Sequence, residues 1–97
     1  MAGKIRATGV AWFRREDYQR IREICDDEMI PVFDQWEAKM EKFLASRATP
    51  GVILEKVIVN PDDLLAFARQ INAGKIDTKV RSAFAAGVVM KKYGTNH

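Results

Sequence analysis

The sequence predicts an α+β fold, mostly helical, with four helices packed around one or two short strands. Four segments repeat apolar residues at helical spacing, and one β-branched run is bounded by Pro-Gly and Asn-Pro. Capping residues stand between the helical segments. The chain has 97 residues, 47% of them apolar and 30% charged, which suits a single domain over residues 1–97 with a modest core. No internal repeat, low-complexity segment or linker divides it.

Residues 1–9 read as an irregular arm, with Gly3, Gly9 and little apolar content. Thr8 to Phe13 ends in β-favouring aromatics and reads as a short strand. A first helix is expected from Arg15 to Asp26, with Tyr18, Ile21, Ile24 and Cys25 on one face and Glu16 and Asp17 in the first turn. Asp26-Asp27-Glu28 crowds negative charge at its C-terminal end, and Pro31 breaks the chain before the next element. The second helix, Phe33 to Arg47, carries a stripe of Phe33, Trp36, Met40, Phe43 and Leu44.

After the Thr49-Pro50-Gly51 turn, Val52 to Val59 reads as a strand. Both its faces are largely apolar, so cover on both sides is expected. A lone strand leaves its backbone groups unsatisfied. Its partner is therefore either Thr8–Phe13 or a second copy of the chain. Asn60 caps a third helix with Pro61 in the first position, and Gly74 is expected to stop it. Asp77 caps a fourth helix, Thr78 to Tyr93, in which Gly87 and neighbouring alanines suggest a close helix approach. Gly94 ends that helix, and residues 94–97 read as a frayed tail.

The net charge of +3 is unevenly spread. Residues 1–15 and 79–97 carry four Lys or Arg each and no acid, while all 13 acids lie between. Basic ends around an acidic middle suit contacts between ends and middle, within one chain or between two copies; a basic patch for nucleic acid is the weaker alternative. No apolar run is long enough to cross a bilayer, and the basic N-terminus lacks an apolar stretch behind it, so no membrane or secretory role is expected. One cysteine, Cys25, makes no internal disulfide and suits a reducing compartment.

Catalytic chemistry is thin. The single histidine is His97, the last residue, and Cys25 lies on an apolar helix face as a core thiol. Ordinary zinc sites need more ligands than these. Asp26, Asp27 and Glu28 lack the spacing of a calcium loop and read as a solvated acidic turn. There is no glycine-rich phosphate motif, so no cofactor and no metal is expected. Six residues are candidates for binding: Trp12, Arg14, Arg15, Tyr18, Trp36 and Arg81. Two arginines among aromatics could hold a phosphate or carboxylate or stack on a base. The plainer alternative packs Trp12, Phe13 and Tyr18 inward and leaves Arg14 and Arg15 in water. An Asp77–Arg81 pair at a helix start is the second candidate, and Asp34 beside Trp36 the third.

Several of these motifs together resemble a family of small, uncharacterised bacterial proteins of the cytoplasm. The resemblance rests on Trp12-Phe13-Arg14-Arg15-Glu16-Asp17-Tyr18 and Asp34-x-Trp36. It continues through the strand into Asn60-Pro61-Asp62-Asp63-Leu64 and Phe67, and ends in Asp77 with Arg81-Ser82-Ala83-Phe84-Ala85. It implies a bacterial, cytoplasmic setting and no activity. The residues themselves point to a non-enzymatic interaction or regulatory protein acting as a homodimer, with a protein partner. The alternative is a module that binds an anionic ligand or nucleic acid through Arg14, Arg15, Arg81 and the C-terminal lysines.

Overall fold

The computed structural model describes residues 6–93. The first five residues of the expected arm, the tail from Gly94 and His97 lie outside the described residues. The element order is β1 (Arg6–Trp12), α1 (Arg15–Ile24), α2 (Phe33–Arg47), β2 (Val52–Ile58), α3 (Pro61–Gln70) and α4 (Thr78–Tyr93). Four helices and one two-stranded sheet make the α+β fold that the patterning predicts.

β1 and β2 pair with each other in parallel, Arg6 opposite Val52 and Trp12 opposite Ile58. Parallel strands need a long crossover, and α1 and α2 supply it. The first strand starts at Arg6, so residues 6–9 are strand and not arm; pairing with β2, which reaches back to Gly51, extends it. One face of the sheet carries Arg6, Thr8, Val10 and Trp12 beside Val52, Leu54, Lys56 and Ile58. The other carries Ala7, Gly9 and Ala11 beside Ile53, Glu55 and Val57.

α4 covers the second face. Val57, Ala85 and Val89 are buried there, with Ala7, Ala11 and Phe84 against them. The approach is closest at Gly9, where an added Cβ would lie 2.4 Å from the Ala85 carbonyl oxygen. Gly87 has open space around its missing Cβ. The expected close approach on α4 therefore exists at Ala85, against a strand glycine, and not at Gly87.

The main core joins Ile21 of α1, Leu64 of α3 and Val59, all fully buried, to an aromatic group at the end of β1. Trp12 and Trp36 meet edge to face at 4.9 Å, and Phe13, Tyr18 and Phe33 pack around Trp36. Trp36 is the only buried residue of α2. Phe43, expected in the core, is 38% exposed, because the C-terminal half of α2 stands off the sheet and leaves a gap above Val10 and Leu54.

Helix ends follow local chemistry. α1 stops at Ile24, two residues before Asp26, because Asp26 leaves the helix to pair with Ile76. The Asp26 amide donates to the Ile76 carbonyl at 2.7 Å, and the Ile76 amide donates to Asp26 Oδ2 at 2.8 Å. α3 ends at Gln70, before Gly74. Asn72 takes the left-handed conformation, φ 56°, while Ala73 and Asn72 donate back to the carbonyls of Ala68 and Arg69. Asparagine thus fills the role expected of glycine. At the N-terminal ends, Asn60 Oδ1 accepts from the amides of Asp62 and Asp63, and Asp77 Oδ1 from those of Lys79 and Val80.

β2 is less covered than its composition suggests. Val57 is buried, but Ile53 is 40% exposed on one face and Ile58 48% on the other. A single α-helix on one face and half a helix on the other do not span a sheet whose two strands are both edges.

Candidate functional site

The structure divides the six candidate binding residues. Trp12, Tyr18 and Trp36 converge in the aromatic group, where all three are buried. The Tyr18 hydroxyl donates to the Ile30 carbonyl at 2.6 Å, and burial pushes its pKa up, with Arg22 and Arg81 opposing. This tyrosine is an anchor for the α1–α2 connection.

The arginines do not converge. Arg14 and Arg15 are exposed at the start of α1. Arg14 donates to Asp17 Oδ2 at 2.9 Å. Arg15 pairs with Asp34 at the start of α2 and lies over the Phe33 ring at 4.7 Å. The Asp34 pairing, which the Arg15 guanidinium gains in its charged form, raises the arginine's pKa further. Both side chains thus clip the start of α1, one to its own first turn and one to α2.

Arg81 sits elsewhere, 8% exposed on the inner side of α4. Its partner is not Asp77, which caps the helix, but Asp27. Nη1 and Nη2 donate to the two Asp27 carboxylate oxygens at 2.8 and 2.9 Å, and Nη2 also donates to Thr78 Oγ1 at 3.0 Å. The Arg81 hydrogen bond holds the Asp27 carboxyl down at about 2, against a smaller opposing effect of burial. Burial opposes the charge on Arg81, yet Asp27 and Cys25 beside it more than offset that. The acidic turn is therefore a docked element. Asp26 and Asp27 together fasten the end of α1 to the start of α4.

Cys25 is half-buried beside this pair. Burial pushes its thiol up and Arg81 pulls it down less strongly, so the neutral thiol prevails at pH 7. Among the described residues no three His, Cys, Asp or Glu side chains gather as a metal site. No described helix is long and apolar enough to cross a membrane.

What remains open is the sheet. Within a strand, successive residues turn their backbone groups to opposite sides. Arg6 donates to Gly51 and Trp12 accepts from Val59, so Arg6, Thr8, Val10 and Trp12 face β2. Ala7, Gly9 and Ala11 then turn their N–H and C=O groups to the outer edge of β1. By the same rule Leu54, Lys56 and Ile58 turn theirs to the outer edge of β2. No described backbone or side-chain group bonds to either set.

The two edges differ in their surroundings. The edge of β1 lies in a furrow between α2 and α4. A hollow of about 900 Å³ runs below it against Ser82, Ala86 and Met90, and one of about 400 Å³ above it against Phe43 and Arg47. Beside the edge of β2 stand the exposed Ile58 on one face and Ile53 on the other, where Ile53 also lines the lower hollow. At the centre of the β2 edge Lys56 folds back over the Trp12 ring at 4.2 Å and pairs with Glu41 at 3.0 Å. On the other face Glu55 accepts from Lys92 and Tyr93, which hold its carboxyl below the usual range.

Sequence reasoning missed Asp27 and Gly9. Asp27 lies 54 residues from Arg81 and carries no local signal of that partner. Gly9 could have been found in the alternation Ala7-x-Gly9-x-Ala11, a strand face kept small for a close neighbour. Comparison of the chain with protein-family models, curated proteins and solved structures finds no match.

Proposed function

We propose that the chain is a small, non-enzymatic interaction or regulatory protein that works as a homodimer joined along the outer edge of β2. One observation carries this: β2 is a seven-residue, β-branched edge strand whose isoleucines are half-exposed on both faces. Such an edge is a template for strand pairing unless it is covered. Two copies related by a two-fold axis would form a four-stranded sheet, antiparallel at its centre.

The helices leave room for it. Where α4 passes Gly9 of β1, the two copies of the helix would stand about three strand spacings apart, roughly 14 Å, while its end reaches under β2, where Lys92 and Tyr93 bond Glu55. The separation at Gly9 exceeds the roughly 8–10 Å that packed helices need. The bacterial, cytoplasmic setting implied by the motif resemblance belongs to the same proposal. The anion-binding alternative has less behind it, since Arg14, Arg15, Arg81 and Lys92 all have carboxylate partners within the chain.

Light scattering on the purified chain at micromolar concentration tests the reading. The expected mass is twice that of the chain. The Ile58→Lys variant, which puts a charge on the exposed face of the edge strand, should run as a folded monomer. A wild-type monomer at that concentration overturns the proposal.

A further inference from the structure

We infer that the outer edge of β1 is a second interaction surface, a furrow that takes an extended acidic peptide from a partner protein as an added strand. It goes beyond the homodimer proposal and uses the other edge of the sheet.

The floor is backbone. Ala7, Gly9 and Ala11 direct three N–H and three C=O groups into the furrow, and the described residues leave all six without a partner. Strand addition satisfies such groups and supplies affinity independent of peptide sequence.

The walls decide what can enter. α4 lies directly on β1, with the Ala85 carbonyl oxygen 2.4 Å from where a Gly9 Cβ would be. A second copy pairing here through its own β1 would bring its α4 to within about 5 Å of this one. Packed helices need about 8–10 Å, so the furrow excludes a second copy that pairs through its own β1, whereas a bare strand brings no helix with it. Alternate side chains of that strand point up and down. Upward they meet the apolar gap of about 400 Å³ beside Phe43, Val10 and Leu54. Downward they meet the hollow of about 900 Å³, whose α4 wall is kept low by Ser82 and Ala86.

Charge sets the class of peptide. The exposed Arg47 of α2 lines the upper gap and lies over the Phe43 ring, and the exposed Lys39 lines a further hollow of about 360 Å³ beside Ala11, whose single acid is Glu28. Arg81 lies there too, but Asp27 already neutralises it. The match is an extended segment with apolar side chains at alternate positions and acids flanking them.

Selection from a random eight-residue peptide library displayed on phage tests this, with the intact chain as bait. Enriched peptides should be acidic with alternating apolar residues. Added to isotope-labelled protein, they should shift the amides of Ala7, Gly9 and Ala11. Ala86→Trp, which fills the lower hollow from an exposed helix position without changing its charge, should weaken binding at least tenfold without changing the particle mass. Arg47→Glu should weaken it and improve binding of Lys-substituted peptides. Absence of enrichment, enrichment of basic peptides, or shifts confined to Leu54, Lys56 and Ile58 would overturn the inference. The mass of the free protein is measured separately: a monomer that binds at β1 keeps the furrow and loses the dimer, whereas a dimer that binds nothing does the reverse.

Discussion

Replacing Asp27 with asparagine tests how the acidic turn holds the fold. The carboxylate is bidentate to a guanidinium that is 8% exposed, and its own side chain is 29% exposed. Its pKa is lowered from an ordinary 3.8 to about 2, which corresponds to about 2 kcal/mol of stability at neutral pH. Because folding depresses this pKa, the contribution is complete above about pH 4 and is lost as pH falls through about 2. Asparagine keeps one acceptor but removes the counter-charge, so the buried Arg81 loses support that the pH argument does not count. Urea unfolding of wild type and Asp27→Asn, stepped from pH 7 to pH 2, separates this group from the other acids. The difference should be about 2 kcal/mol or more at pH 7 and should shrink below pH 4. A gap under about 0.5 kcal/mol at pH 7, the size of a surface ion pair, or a gap that ignores pH would refute the role assigned to Asp27.

Three further substitutions probe the packing. Gly9→Ala forces a methyl against the Ala85 backbone, which cannot move aside as a side chain would, and should cost about 1–3 kcal/mol in thermal or urea unfolding. Trp36→Ala empties the centre of the aromatic group and should cost about 3–5 kcal/mol, with loss of near-ultraviolet circular dichroism. Asn72→Ala places a β-carbon residue at φ 56° and should cost about 1 kcal/mol, while Asn72→Gly should be tolerated or slightly stabilising.

Local rules carried far in this chain. Asn60-Pro61 and Asp77 mark helix starts through chemistry contained within four residues, and α2 and α4 begin and end where periodicity and turn residues place them. The plainer reading of Trp12 to Tyr18 also follows from local alternation: the aromatics turn inward and the arginines outward. Partnerships across the chain were not legible. The sequence shows that Arg81 has an acid four residues before it, but not that the Asp27 turn comes within 3 Å. Periodicity marks Phe43 as apolar, but burial depends on what faces it, and a two-stranded sheet offers α2 too little surface. Cover for Val52 to Ile58 was overestimated for the same reason. Apolar composition registers the need for shelter, not the source of it, and within the described chain that shelter stops short of Ile53 and Ile58.

Amide hydrogen exchange at Leu54, Lys56 and Ile58, followed over a dilution series, bears most directly on whether the β2 edge is where two copies meet. These amides point away from β1, so nothing within the described chain protects them. Slow exchange at high protein concentration that becomes fast on dilution is the expected behaviour. Fast exchange at every concentration, with the amides of Thr8 and Val10 protected, would mean that the edge stays bare and the homodimer proposal is wrong.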